Sequence, residues 1–366
     1  MSWLAGWDHR MAWTADSSDT AKVTATITKP SIPIFFGATV GIGDSYDNTP
    51  IFDEIGSNSD EMAITYGDTE ELYVEVEAWN SVAETGVVWI GDNTDSSWTV
   101  VSGTDRAGWI YYKDGNANTD RVGIIGSANG EKVWDSDFGA VWHMKDGAIT
   151  SGMYDSTSND NDLTKYGANT PLESVSAEGY AQYFTVIDDW YGAASAADST
   201  DFDFTGAFTI SSRVNPDNVI QDVRLCNRYA SGDGYYITQT ASSAWSFVVF
   251  VSGSSSGVSS NSAPTGGLEH VVGVREADGT LLFYVDGAEQ SGSGSKSGTI
   301  NIGSAFWVGA GYTGYDRIFE GYMYEMRVSG VRRSAAWINA DHHFQDDNLL
   351  YFGSEERLFI PQVIIF

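Results

Sequence analysis

An all-β fold is predicted by three features of this 366-residue chain. Forty glycines stand against only seven prolines, with Ser, Thr and Asp throughout, as in short strands joined by tight turns. Short runs alternate apolar and polar residues at the period of a half-buried strand. No long run carries helical periodicity. The length suits two domains, or one domain with a large addition, and 42% hydrophobic residues supply ample core.

In chain order, AKVTATITK at 21–29 and ELYVEVEAW at 71–79 alternate as strands do. VVWIG, SWTVVSG and GWIYYKDG add short strands punctuated by Gly, Asp and Asn. A second unit begins near residue 136. It holds VWHMKDG, the Asx-rich YDSTSNDNDLT, the strand-like AFTISSRVNPD, and EHVVGVRE followed by TLLFYVDG. Asp278-Gly279 and Asp286-Gly287 supply the positive φ of tight hairpins. Alternation in GYMYEMRVS places Met323, Glu325 and Arg327 on one face, and Tyr322, Tyr324, Met326 and Val328 on the other. SAAWINAD reads as one or two helical turns with Ser334 as N-cap. The Ser/Gly-rich stretches 252–262 and 291–297 read as mobile loops. Cys226, the only cysteine, sits in VRLCNRY and reads as a buried structural thiol in a strand.

Fifty acidic against nineteen basic residues leave a formal net charge of −31. Such a surface repels nucleic acid and anionic membranes, which need clustered Lys and Arg. It suits cations, cationic partners or a saline medium, and it also simply keeps a β-rich surface soluble. No stretch is long and apolar enough to insert into a bilayer. MSWLAGWDHRMAW lacks the basic start and apolar run of a secretory leader, so none is expected.

The catalytic motifs expected of common enzyme classes are missing. There is no His-Glu-x-x-His, no Gly-x-x-x-x-Gly-Lys loop and no Glu-x-Asp-x-x-Glu run. Glu71, Glu75 and Glu77, and Asp201 with Asp203, are carboxylates sharing strand faces, an arrangement a solvated face shows equally. The five histidines read as structural; His342 and His343, adjacent in a helix, point apart. Asp114 to Asp120 spaces oxygens like half a calcium loop but reads as a turn. The loop from Asp155 to Asp162 holds three more oxygen-rich Asp and two Asn residues, suited either to Ca²⁺ or to turn building. Trp190, Tyr191, Tyr312 and Tyr315 are candidate platforms for stacking on sugar rings. The apolar ending RLFIPQVIIF, with Leu358, Phe359, Ile360, Val363, Ile364, Ile365 and Phe366, reads either as a strand docked on this chain's own sheets or as one given to a neighbouring subunit.

The succession of VWHMKDG, the Asp-Ser-Thr loop, the two Asp-Gly hairpins and FEGYMYEMRVSGVRRSAAWINADHH resembles the laminin-G-like, concanavalin-A-like jelly roll, a family of glycan- and protein-binding sandwiches. Leu268 stands where that family usually has a tryptophan. Trp3, Trp7, Arg10, GWIYYKDGNAN and KVWDSDFGAVWHM resemble the poorly characterised β domain that often precedes such a module in phage and microbial surface proteins. The resemblance spans roughly 105–356. It implies two tandem β-sandwiches, with an N-terminal domain at 1–136, a jelly roll at 137–353 and an attachment strand at 354–366. It also implies a calcium ligand set of Asp155, Asn161 and Glu325.

The expected role is therefore a non-enzymatic structural and adhesive protein on a virion or extracellular surface. Its partners would be other subunits of that assembly and glycans, and it would be oligomeric or assembly-bound. The alternatives are a secreted microbial carbohydrate-binding protein and, more weakly, a glycoside hydrolase.

Overall fold

The computed structural model describes residues 3–147, 152–166, 170–187, 190–191, 193–217, 222–240, 244–311 and 316–358. By internal contacts the chain divides into Met1–Asp135 with His343–Phe366, and Ser136–His342. No described helix is long and apolar enough to cross a membrane.

The first unit holds two main sheets. One runs Leu350–Arg357, His9–Ala15, Arg106–Tyr112, Met62–Tyr66, Glu70–Glu71. The other runs Val122–Ile124, Tyr73–Asn80, Thr85–Gly91, Ile32–Phe36. The division of the chain thus differs from the boundaries read in the sequence. Leu350–Arg357, read as the end of the jelly roll and the start of an attachment strand, pairs antiparallel with His9–Ala15. Its apolar Leu350 and Phe352 are buried there.

The run at 21–29 is a strand only at Ile27–Thr28, because turns occupy its first half. The helix Pro50–Ile55, which no sequence signal announced, has Pro in its first turn and buries Ile51, Phe52 and Ile55. Phe52 lies against Trp79, ring centroids 4.3 Å apart. Glu75 and Glu77 are not on a solvated face. Both are buried, and their carboxylates accept the indole N–H groups of Trp134 and Trp89, each at 2.7 Å.

The second unit is a large antiparallel two-sheet assembly. One sheet runs Leu172–Ser176, Gly179–Phe184, Gly321–Ser329, Phe208–Pro216, Glu269–Arg275, Thr280–Val285, Ala288–Glu289, and Phe138–Trp142 also pairs with Gly321–Ser329. The other runs Gly152–Met153, Leu163–Tyr166, Ala193–Ala196, Phe306–Val308, Val223–Ala230, Asp233–Gln239, Trp245–Val251, Ser254–Ser259. Trp142, Phe202, Phe208, Tyr235, Phe247 and Phe306 form the aromatic centre of the shared core. Each such side chain contributes roughly 1.5–3 kcal/mol over its exposed state. The core also takes in Cys226, whose thiol burial pushes up to about 12.

Two details of this unit decide what faces where. Asp286 and Gly287 both have positive φ, at 49° and 74°, and close the two-residue hairpin Val285↔Ala288 as Asp-Gly predicts. Strict alternation fails in Gly321–Ser329, because its register against Phe208–Pro216 shifts between Arg213 and Val214. Across this bulge Met323 joins Met326 and Val328 in the core, while Glu325 and Arg327 share the opposite face. The closing helix is Ala335–Gln345, and Ser334 Oγ accepts the Trp337 N–H at 3.1 Å as an N-cap. Ser254–Ser259, expected as mobile loop, is an edge strand paired with Trp245–Val251.

Candidate functional site

The Asx-rich loop of the second unit closes on a buried aspartate. Asp155 is 1% exposed. Its Oδ1 accepts the backbone N–H groups of Val141 (2.9 Å) and Thr157 (3.0 Å). Its Oδ2 accepts the Thr157 hydroxyl (2.8 Å) and the Asn161 N–H (3.1 Å). Burial pushes the Asp155 carboxyl up to about 7 against the opposing pull of these bonds.

The same loop reaches outward to two neighbours. Asn159 Nδ2 donates to Phe138 O (2.9 Å) and Gly139 O (3.2 Å). Asn161 Nδ2 donates to Gly139 O (2.8 Å) and Asp201 Oδ2 (2.9 Å). Asn161 O accepts the indole N–H of Trp142 at 2.9 Å. Gly139 is needed for this approach, since a Cβ there would stand 2.8 Å from Asp201 O.

Asp201 and Asp203 do not lie on a strand face as read from DFDF. Thr200–Phe202 is a 3-10 turn capped by Ser199, whose Oγ accepts the Asp201 N–H (3.2 Å) and donates to Asp201 Oδ2 (2.7 Å). Asp203 leaves the turn beside the buried Arg228 guanidinium. Arg228 Nη2 donates to Asp203 Oδ1 (2.7 Å), Asp198 Oδ1 (2.9 Å) and Ile302 O (2.6 Å), and the Ile302 N–H also donates to Asp203 Oδ1 (3.2 Å). Among the described residues, Asp201 Oδ1 and Asp203 Oδ2 accept no hydrogen bond. The Ser-x-Asp cap at 199–201 is the sequence signal that could have placed this turn.

A cleft of about 480 Å³ opens where these parts meet. Asp137, Asn159, Asp201, Asp203, Phe204 and Arg332 contribute to its lining. Arg332 is half-exposed and its Nε reaches Glu276 Oε1 at 2.6 Å. The cleft is therefore a polar, acceptor-rich depression on a cross-tied frame.

The calcium set expected from the resemblance is not assembled. Asp155 spends both oxygens on four protein donors, and Asn161 turns its amide N–H groups to Gly139 and Asp201. Glu325 lies in a separate buried group, bonded to Arg327 and 3.7 Å from His143 Nδ1. Arg327 Nη1 also donates to Asp341 Oδ1 (2.9 Å), whose Oδ2 is 3.6 Å from His270 Nε2. Burial would raise the Glu325 carboxyl, but the charges of Arg327 and His143 outweigh it and bring it down to about 2. Burial, with the nearby His342, holds the His270 imidazole well below its usual range. Asp155, with both oxygens taken by protein donors, and Glu325, bonded to Arg327, are thus committed to protein partners, whereas Ca²⁺ takes six to eight oxygens.

The remaining candidates are scattered. Trp190–Tyr191 forms a two-residue strand paired with Val186–Ile187, with side chains outside the described part. Tyr312 and Tyr315 lie outside the described residues, as do Phe359, Ile360, Val363, Ile364, Ile365 and Phe366. Leu358 is 37% exposed, and its N–H donates to Asp8 O at 2.8 Å. In the Asp114 to Asp120 loop, Asn118 Nδ2 donates to Met62 O and Glu71 Oε2, each at 3.2 Å, as a turn residue.

Residues 188–339 match the family model of the concanavalin A-like lectin/glucanases superfamily. The second unit carries a concanavalin-A-like domain. Among solved structures, the binding domain of Paraclostridial Mosquitocidal Protein 1 is similar over 57% of this chain and 52% of its own, at 9% identity and a TM-score of 0.45. The botulinum neurotoxin serotype G binding domain is similar over 57% and 51%, at 12% identity and a TM-score of 0.46. Domain 4 of AbnA, a GH43 extracellular arabinanase from Geobacillus stearothermophilus solved with arabinotriose, is similar over 56% and 98%, at 16% identity and a TM-score of 0.43. This chain spans about half the length of the toxin binding domains it matches. No curated protein sequence matches it.

Proposed function

We propose that the concanavalin-A-like unit is a non-enzymatic adhesive module that binds a neutral glycan in its rim cleft. The observation that carries this reading is the pair Asp201 and Asp203. Both line the cleft, and each has one oxygen fixed to the frame and one that accepts no hydrogen bond among the described residues. Sugar hydroxyls are donors that suit such acceptors, and a pre-tied frame spares the ordering cost of binding. A chain of net charge −31 disfavours acidic glycans at the same place. The match to a lectin and glucanase superfamily supports a saccharide ligand. Binding is proposed to need no calcium at the Asp155 loop, because that carboxylate is already saturated.

A glycan array, run with calcium and again after chelation, tests this. The expected result is retention of neutral oligosaccharides under both conditions. The variant Asp201→Asn should then weaken binding about tenfold, the worth of one charge-assisted hydrogen bond, with an unchanged melting temperature. Silence on every neutral glycan would overturn the reading. Release of new reducing ends, abolished in Asp201→Asn or Asp203→Asn, would establish the hydrolase alternative instead.

The wider setting of a virion or extracellular surface assembly is part of the same proposal. Its support is the apolar composition of 358–366 and the resemblance of residues 1–136. Removing 358–366 should abolish incorporation into the parent assembly while leaving glycan binding intact. Unchanged incorporation would favour the secreted carbohydrate-binding alternative.

A further inference from the structure

Asp8, His9 and Glu54, in the first unit, bring one imidazole nitrogen and two carboxylate oxygens to within 4.8 Å of one another. We propose that they form a binding site for a divalent transition-metal ion of the zinc class. His9 opens the strand His9–Ala15, and Glu54 comes from the helix Pro50–Ile55. The site is joined only by folding.

The geometry is that of ligands and not of a hydrogen-bonded pair. Asp8 Oδ1 lies 3.1 Å and Glu54 Oε1 3.6 Å from His9 Nδ1. Yet Asp8 Oδ1 and His9 Nδ1 are both shielded from solvent without a hydrogen-bond partner. One ring nitrogen carries at most one proton and cannot serve two carboxylates in any case. With metal–ligand bonds of about 2.0–2.2 Å and tetrahedral angles, neighbouring ligand atoms stand roughly 3.4 Å apart. The two observed separations bracket that value. Buried polar atoms left without partners call for an explanation, and an unrecorded ion is one such explanation.

The surroundings hold the three groups in place. The His9 ring stacks on Tyr112, centroids 5.6 Å apart and planes 14° apart. Asp8 O accepts the Leu358 N–H, and Asp8 Oδ2 lies 3.4 Å from Lys113 Nζ, which leaves Oδ1 for the ion. One imidazole with two carboxylates is a nitrogen–oxygen donor set for Zn²⁺ or a similar ion, whereas Ca²⁺ and Mg²⁺ take oxygen alone. The Asp8 and Glu54 side chains are about one-third exposed, at 34% and 30%, so a water or a further ligand can complete the coordination.

Calorimetric titration of the metal-free full chain with zinc chloride in about 0.5 M salt, which screens diffuse attraction to the acidic surface, is the test. One saturable site per chain is expected, with a melting temperature that rises with excess zinc. Cobalt in its place should give the visible absorption of a four-coordinate nitrogen–oxygen site. His9→Gln and Glu54→Gln should each weaken binding at least tenfold. Absence of a saturable site, or unchanged binding in Glu54→Gln, would overturn the proposal. Should His9→Gln not fold, Glu54→Gln alone decides, since that side chain is partly exposed.

Discussion

Carboxylates gather at the rim of the concanavalin-A-like unit and at Asp8 and Glu54 of the first unit, and the two gatherings are built in opposite ways. At the rim, Asp155 meets four donors and so acts as a latch in the frame. At Asp8 and His9, Oδ1 and Nδ1 converge without a hydrogen bond to either. An acidic cluster is therefore read by its donors. Where N–H and O–H groups saturate it, the cluster is structure, and where they are missing, it is the place proposed for a ligand.

Substitutions can break this contrast, most strongly at Arg327. Arg327→Met would leave Glu325 and Asp341 buried without their cation and should cost about 3–5 kcal/mol in urea unfolding. Asp155→Ala should cost about 3 kcal/mol or more, because the Val141 and Asn161 N–H groups lose their acceptor. Zinc affinity at Asp8, His9 and Glu54 should be untouched in that variant. Gly139→Ala should cost about 1–3 kcal/mol, since its Cβ meets a backbone oxygen, and it should also weaken glycan binding by shifting Asp201.

The smallest expected effect is on pH dependence. In the folded state the Asp155 carboxyl stands near 7, above its value of about 3.9 in an unfolded chain. The folded protein therefore holds more protons between those values. The Asp155 contribution is fully present below about pH 4 and is lost as pH rises through 7. Glu325 behaves in the reverse sense: lowered to about 2, it contributes above about pH 4.5, and that contribution is lost as pH falls towards 2. Unfolding midpoints measured from pH 2 to 8 should show both limbs, and Asp155→Asn should flatten the one between 4 and 7.

Much of the fold was legible because local rules governed it. The Asp-Gly hairpin at 286–287, the Ser334 cap and the strand around Cys226 all follow from backbone propensity and short-range pattern. Other parts were hidden because long-range partners decide them. Alternation misassigned Met323, since a register shift against another strand inverts one stretch. Glu75 and Glu77 looked solvated because their partners Trp134 and Trp89 are distant in the chain. The Asp155 loop read either as a calcium site or as turns, and its four donors, two of them contributed by Val141 and Asn161, are visible only in the fold.

By itself the sequence determined the all-β class and the net charge of −31, and its motifs carried the resemblance of the second unit to the concanavalin-A-like family. Class and charge rest on composition, period-two patterning and turn chemistry, and the resemblance on short motifs, each expressed within a few residues. Only the tertiary structure decided that Leu350–Arg357 returns to the first sheet, that Asp201 and Asp203 meet at a cleft, and that Asp8 and His9 face Glu54. Each of these joins residues far apart in the chain, and hydrogen-bond saturation, which separates frame from site, exists only after that joining.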